Sequence, residues 1–292
     1  MQEMFSKRWF RVLIGILAVL ASVIMGRYQR QTGPTYPVPV AEELADSSIS
    51  GELIRTHGGA GDAHVTLTVE STTAEGEVVW RRYPTTDDWS RLPMQRGGAE
   101  LAADLPHQIP AAKLEYSVRL MDQGQQVVLP HEETAVIRFR DDVPAWVLIP
   151  HIIFMFVSLA IVFRAAFGAL LGEDNVRRFI PWALGFLIPG GFLLGPLVQK
   201  FAFDAYWTGW PFGGDWTDNK TLAALAAWLI AWFICRSWPR LERVAVLFAS
   251  IVMLGVYLIP HSIHGSELDW SQVEEPAAVQ QVPEDIAEPE LE

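Results

Sequence analysis

Five long apolar runs punctuate the chain, and a stretch with a different rhythm separates the first from the second. The runs cover roughly residues 9–26, 146–171, 179–203, 221–238 and 241–260. A helix needs about 20 apolar residues to cross a bilayer core, so the pattern predicts five transmembrane helices. From Ile49 to Arg140 apolar and polar residues alternate instead. Val65, Leu67 and Val69 interleave with His64, Thr66 and Thr68. Leu114, Tyr116, Val118 and Leu120 form a second set, and Ala135, Ile137 and Phe139 a third. A period of two puts each set on one face of a strand. HGGAGD, AEGE, RGG and DQGQ supply turns, and strands at this spacing predict an all-β sandwich.

The expected fold is therefore a mixed membrane protein. It comprises an N-terminal transmembrane signal anchor (1–27), a linker (28–47), the sandwich (48–141), a four-helix transmembrane bundle (145–266) and an acidic disordered tail (267–292). The linker assignment rests on the Pro, Thr and Ser content of QTGPTYPVPVAEELADSS. The first run also has features of a cleaved signal peptide, with Lys7, Arg8 and Arg11 before it and Val19-Leu20-Ala21 as a cleavage site. Cleavage there would leave apolar SVIMG at the new terminus, so a retained anchor is expected. Short connections among the last four runs predict an up-down bundle. In the third run Pro189 and Pro196 should kink or break the helix. Gly190, Gly191 and Gly195 would permit tight helix packing, or else a hinge or clearance for a cofactor.

Basic residues give the orientation. Lys7, Arg8 and Arg11, then Arg164, Arg177 and Arg178, then Arg236, Arg240 and Arg243 fall on one side if all five runs span. By the positive-inside rule that side is the cytoplasm. The expectation is a multi-pass protein of the bacterial inner membrane, with its N-terminus inside and its β-domain and C-terminus outside. The loop DAYWTGWPFGGDWTDNK holds Tyr206, Trp207, Trp210, Phe212 and Trp216. It reads as an aromatic cap at the membrane interface or as a lid over a site. Thr217 or Asp218 should cap the fourth helix; Asp215 has no evident role.

Composition narrows the function. Half of the 292 residues are hydrophobic, and the net charge is -12. The region from Glu267 to Glu292 holds nine acidic residues and no basic one. No basic patch with interleaved aromatics occurs, so nucleic acid is not an expected partner. One cysteine, Cys235, excludes an intrachain disulfide and a CxxC motif. P-loop, GxGxxG and GxSxG motifs are missing from the sequence. Spans without an internal repeat argue against a typical secondary transporter.

Ionisable residues near membrane depth are costly and mark sites by default. His151 lies near the start of the second run, while His261, His264 and Glu267 follow the fifth at spacing i, i+3, i+6. Imidazole and carboxylate together suit a transition metal, and histidines from two helices suit axial ligation of a b-type haem. His151 and His261 are the candidate haem ligands. His151, His261, His264 and Glu267 are the candidate metal ligands. The alternative is that each histidine bonds a carbonyl or anchors at headgroup level. His57, His64, His107 and His131 lie in the sandwich without ligand spacing.

Trp80 in VVWRRY and Tyr116 in AELAADLPHQIPAAKLEYSVRL give the outer domain a pattern that resembles an immunoglobulin or fibronectin type III-like sandwich. The whole chain resembles a family of uncharacterised bacterial membrane proteins, through PHIIFMF, GPLVQKFAFDAYWTGWPFGGDWTDNK and IPHSIHGSELD. These resemblances imply architecture, and a binding role only by analogy. The expected function is a binding or scaffold subunit of a membrane complex, its partners the lipid bilayer and a protein. The alternative is a metal- or haem-binding redox-associated subunit. A membrane enzyme with its site under the aromatic loop is the third reading.

Overall fold

The computed structural model describes residues 2–131 and 133–260, together with Leu268, Trp270 and Val273. Helices α1 (Gln2–Ser6) and α2 (Arg8–Thr32) come first. Helix α2 runs past the expected anchor boundary, because nothing in RYQRQT breaks a helix. Gly33, ahead of Pro34, takes an extended conformation and ends it.

Eleven strands follow among the described residues: β1 (Val38–Leu44), β2 (Ser47–Leu53), β3 (Thr56–Gly58), β4 (Ala63–Val69), β5 (Glu75–Tyr83), β6 (Ser90–Pro93), β7 (Gln95–Gly97), β8 (Glu100–Leu105), β9 (Lys113–Asp122), β10 (Gln125–Leu129) and β11 (Ala135–Arg140). Strand β1 falls inside the stretch expected to be a linker. It pairs antiparallel with β2 through Ala45-Asp46, both at positive φ (49° and 64°), the backbone of a tight hairpin turn. Its prolines suggested a linker; Val40 and Leu44 nevertheless go into the core.

One sheet has the order β1-β2-β4-β8-β7. The other runs β3-β11-β9-β5-β6, and β10 also pairs with β9. Strand β3 lies parallel to β11, so this sheet is mixed. The three alternating sets turn inward: Val65, Leu67, Leu114, Tyr116, Val118, Leu120, Ile137 and Phe139 are all fully buried. Tyr116 pairs with Trp80 across β9 and β5 and donates its hydroxyl to Ile54 O at 2.8 Å. Burial pushes its phenol well above the usual range. Trp80 is on the fifth strand, not the third, and only partly buried at the edge of this core. The domain is a β-sandwich compatible with an immunoglobulin-like fold.

Among the described residues five helical segments are long and apolar enough to cross a membrane. Besides α2 these are α3 (Ala145–Leu170), a broken span, α6 (Trp216–Ser237) and α7 (Glu242–Leu258). The broken span consists of α4 (Phe179–Ile188), a π-helical turn over Pro189–Leu194, and α5 (Gly195–Phe203). Small residues let the helices approach: Ala165 and Ala169 on α3, Ala224, Ala227 and Ala231 on α6, Ala245 and Ala249 on α7 are all buried. Trp228, fully buried, belongs to the same core. Val244 and Ile251 of α7 are 65% and 67% exposed, so part of the outer surface of the bundle is apolar.

The helices alternate in direction, so the three basic groups share one end of the bundle. There Arg164 forks onto Glu173 (Nη1–Oε2 2.6 Å, Nη2–Oε1 2.9 Å), and Arg178 reaches the same carboxylate. Arg243 ties α7 to this loop through Gly172 O at 2.8 Å and Asp174 at 2.7 Å. The sandwich meets the other end. Asp141 N–H donates to Ala202 O at 3.0 Å, and the Arg138 guanidinium lies 4.0 Å from the centre of the Phe203 ring.

Candidate functional site

Polar groups gather at the sandwich-side end of the bundle, around the π-helical turn. Proline at 189 removes a backbone donor, and glycine at 190 and 191 removes the side chains that would keep neighbouring helices away. A Cβ on Gly190 would come within 2.9 Å of Met155 Sδ and Phe154 Cβ; one on Gly191 would come within 2.6 Å of Thr221 Cγ2. The glycines thus serve tight packing against α3 and α6. The wider π turn directs Gly190 O to two donors, Gly195 N–H and His151 Nδ1, the latter at 2.9 Å.

That second bond has a chemical consequence. A carbonyl only accepts, so Nδ1 of the half-buried His151 carries the proton. In the neutral ring Nε2 keeps its lone pair, free to accept a proton or ligate a metal. Of the alternatives weighed for His151, carbonyl bonding is the one the structure shows, through Nδ1.

On the other flank of the turn, next to Thr221, Lys220 is 8% exposed. Its ammonium donates to Ile259 O at 2.8 Å and Pro260 O at 3.0 Å, closing the carboxyl end of α7. Loop carboxylates complete the cluster. Asp215 caps α6 by accepting from Thr217 N at 2.7 Å. Asp218 Oδ2 accepts from Thr208 N at 2.7 Å and Gly209 N at 3.0 Å, folding the aromatic loop onto the helix start. The capping role expected of Thr217 or Asp218 thus belongs to Asp215, the residue to which the sequence assigned none. The loop's apolar tips stay outward, with Trp210 and Phe212 at 68% and 82% exposure.

His261, His264 and Glu267, with most of the acidic tail, lie outside the described residues. The Lys220–Pro260 contact fixes the chain up to the residue before His261, at the end of the bundle that also holds His151. Helices α3 and α7 pack against each other. Among the described residues no group of three or more His, Cys, Asp or Glu could hold a metal ion. The sequence reading missed Lys220 and Glu173. A cation near the start of an apolar helix was the available signal for Lys220. Glu173 gave none, since a carboxylate in a loop is ordinarily solvated.

The four sandwich histidines lie apart from this cluster. His64 pairs with Asp104 at 2.6 Å and His131 with Glu42 at 2.9 Å, both at the surface. His57 and His107 each contact Gly61 O. Set against known protein families, curated proteins and solved structures, the chain matches none of them.

Proposed function

We propose that this protein is a multi-pass subunit of the bacterial inner membrane that holds its β-sandwich outside the membrane as a binding element for a protein partner. The observation that carries the reading is Trp89. It is 43% exposed immediately before β6, the edge strand of the mixed sheet, and Arg81 lies over its ring at 4.4 Å. Arg81 is itself fixed by Glu115 at 2.6 Å. Tryptophan and arginine held rigid at a surface lose little entropy on binding and dominate interface energies. The joint at Asp141 and Arg138 supports presentation at a set height above the bundle.

Two experiments test this reading. Reporter fusions after Arg30, Gly172, Gly214 and Arg240 should read outside, inside, outside, inside; an inside signal at Gly214 refutes the topology. A photo-crosslinker at position 89 in intact cells should give a discrete adduct that one at His64, on the opposite sheet, does not. Identical adducts at both positions, or none, refute the binding face.

A second reading, a metal- or haem-binding subunit, is favoured by the His151 tautomer alone. Protein purified without chelator should then show bound metal or a Soret band, lost in His151→Ala. Neither signal in the wild-type chain ends that reading.

A further inference from the structure

At the bundle end away from the sandwich a cavity of about 220 Å³ opens between α1–α2 and the connection from α3 to α4. Phe5, Ser6, Arg11, Glu173, Asp174 and Arg178 line it. We propose that this cavity binds the phosphodiester headgroup of an anionic lipid. The inference rests on the membrane reading above and adds a ligand to it.

The charges in the wall decide the sign. Both carboxylates are already neutralised: Glu173 by the Arg164 fork and Arg178, Asp174 by Arg243. Arg11 has no side-chain ion pair or hydrogen bond among the described residues, and neither do Lys7 and Arg8 in the same turns. Arg178 spends one Nη on Glu173, and a guanidinium carries five N–H donors. Two guanidinium groups with spare donors thus face one cavity. They match a phosphate, whose oxygens only accept and which guanidinium binds through paired N–H groups. At about 30 Å³ per water the cavity has room for a phosphodiester with some of its hydration.

The surroundings favour a lipid over a free phosphate. Phe5, Phe10 and Ile14 pack on Phe167 and Leu171, which holds the cavity at the helix ends. Beyond Arg11, Val12, Ile16 and Leu20 form an exposed apolar stripe, each 52% exposed. Acyl chains below a headgroup at Arg11 would lie along that stripe. Trp9, 59% exposed beside it, suits headgroup depth. Basic pockets between helices are a recurring means of holding anionic headgroups.

The test uses the full chain in nanodiscs of phosphatidylcholine with a minor share of phosphatidylglycerol, followed by lipid counting after delipidation. Wild type should retain phosphatidylglycerol about tenfold over its share, as expected for a charge-assisted contact. Arg11→Gln should lose that preference, Arg11→Lys keep part of it, and Arg30→Gln at the opposite end keep all of it. Glycerol phosphate and inorganic phosphate should not displace the lipid. Equal retention of the two lipids, or an unchanged preference in Arg11→Gln, overturns the proposal. Displacement by free phosphate overturns the lipid as the source. A wild-type chain that never enters the nanodisc refutes the membrane reading and the site with it, whereas one that enters without preference refutes the site alone.

Discussion

Glu173→Ala is the perturbation that most directly tests how the bundle end is held. The carboxylate is 3% exposed and accepts from both Nη atoms of Arg164, whose side chain is 13% exposed. Removing it strands a largely buried guanidinium, which costs about 3–5 kcal/mol. Arg178, with a side chain 43% exposed, rehydrates when its partner goes, so its share is at most about 1 kcal/mol. The loop from Gly172 to Arg178 also anchors α7 through Arg243, so loosening it should lower stability rather than merely unpair a surface charge. Equilibrium unfolding in a mild detergent should show the loss. A cycle with Arg164→Ala should be strongly non-additive, the double variant costing far less than the two single variants summed. A Glu173→Ala cost below about 1 kcal/mol, or additivity within about 0.5 kcal/mol, would refute the claim that this pair is a buried fork.

Asp215→Ala should destabilise by about 1 kcal/mol through loss of the α6 cap, and Asp215→Asn by much less; equal costs for both would place the effect in charge rather than capping. Gly190→Ala should cost about 1–3 kcal/mol, because the new methyl meets Phe154 and Met155; an unchanged unfolding midpoint would show that the π turn gives way freely. A hydrogen bond from Arg82 beside Asp87 holds its carboxyl below the usual carboxylate range, against the opposing effect of burial, with smaller help from Thr85 and from the Arg82 charge. A depressed folded pKa means that this contribution is complete above the ordinary carboxylate value and is lost as pH falls through the folded one. Asp87→Asn should therefore lower stability near neutral pH while weakening its acid dependence; parallel pH profiles for variant and wild type would contradict this.

The local pattern carried much of the architecture. Strand faces such as Val65, Leu67 and Val69 follow from a two-residue period, which any burial on one side enforces. The apolar runs match the length a bilayer demands, and the break at Pro189 follows from a missing backbone donor. The β1 hairpin was hidden because its prolines and turn residues also suit a linker; pairing with β2 is a non-local gain that composition does not display. The candidate site was legible only in part. His151 stood out by its chemistry, yet its proton position depends on Gly190 O, a residue distant in sequence. Asp215 and Asp218 have interchangeable chemistry, and only the fold of the aromatic loop over α6 makes one a cap and the other a clasp. Glu173 and Arg11 sit among similar charges in the sequence. Tertiary structure alone buries the first against Arg164 and leaves the second without an ion pair among the described residues, because the cost of desolvating a charge depends on what packs around it.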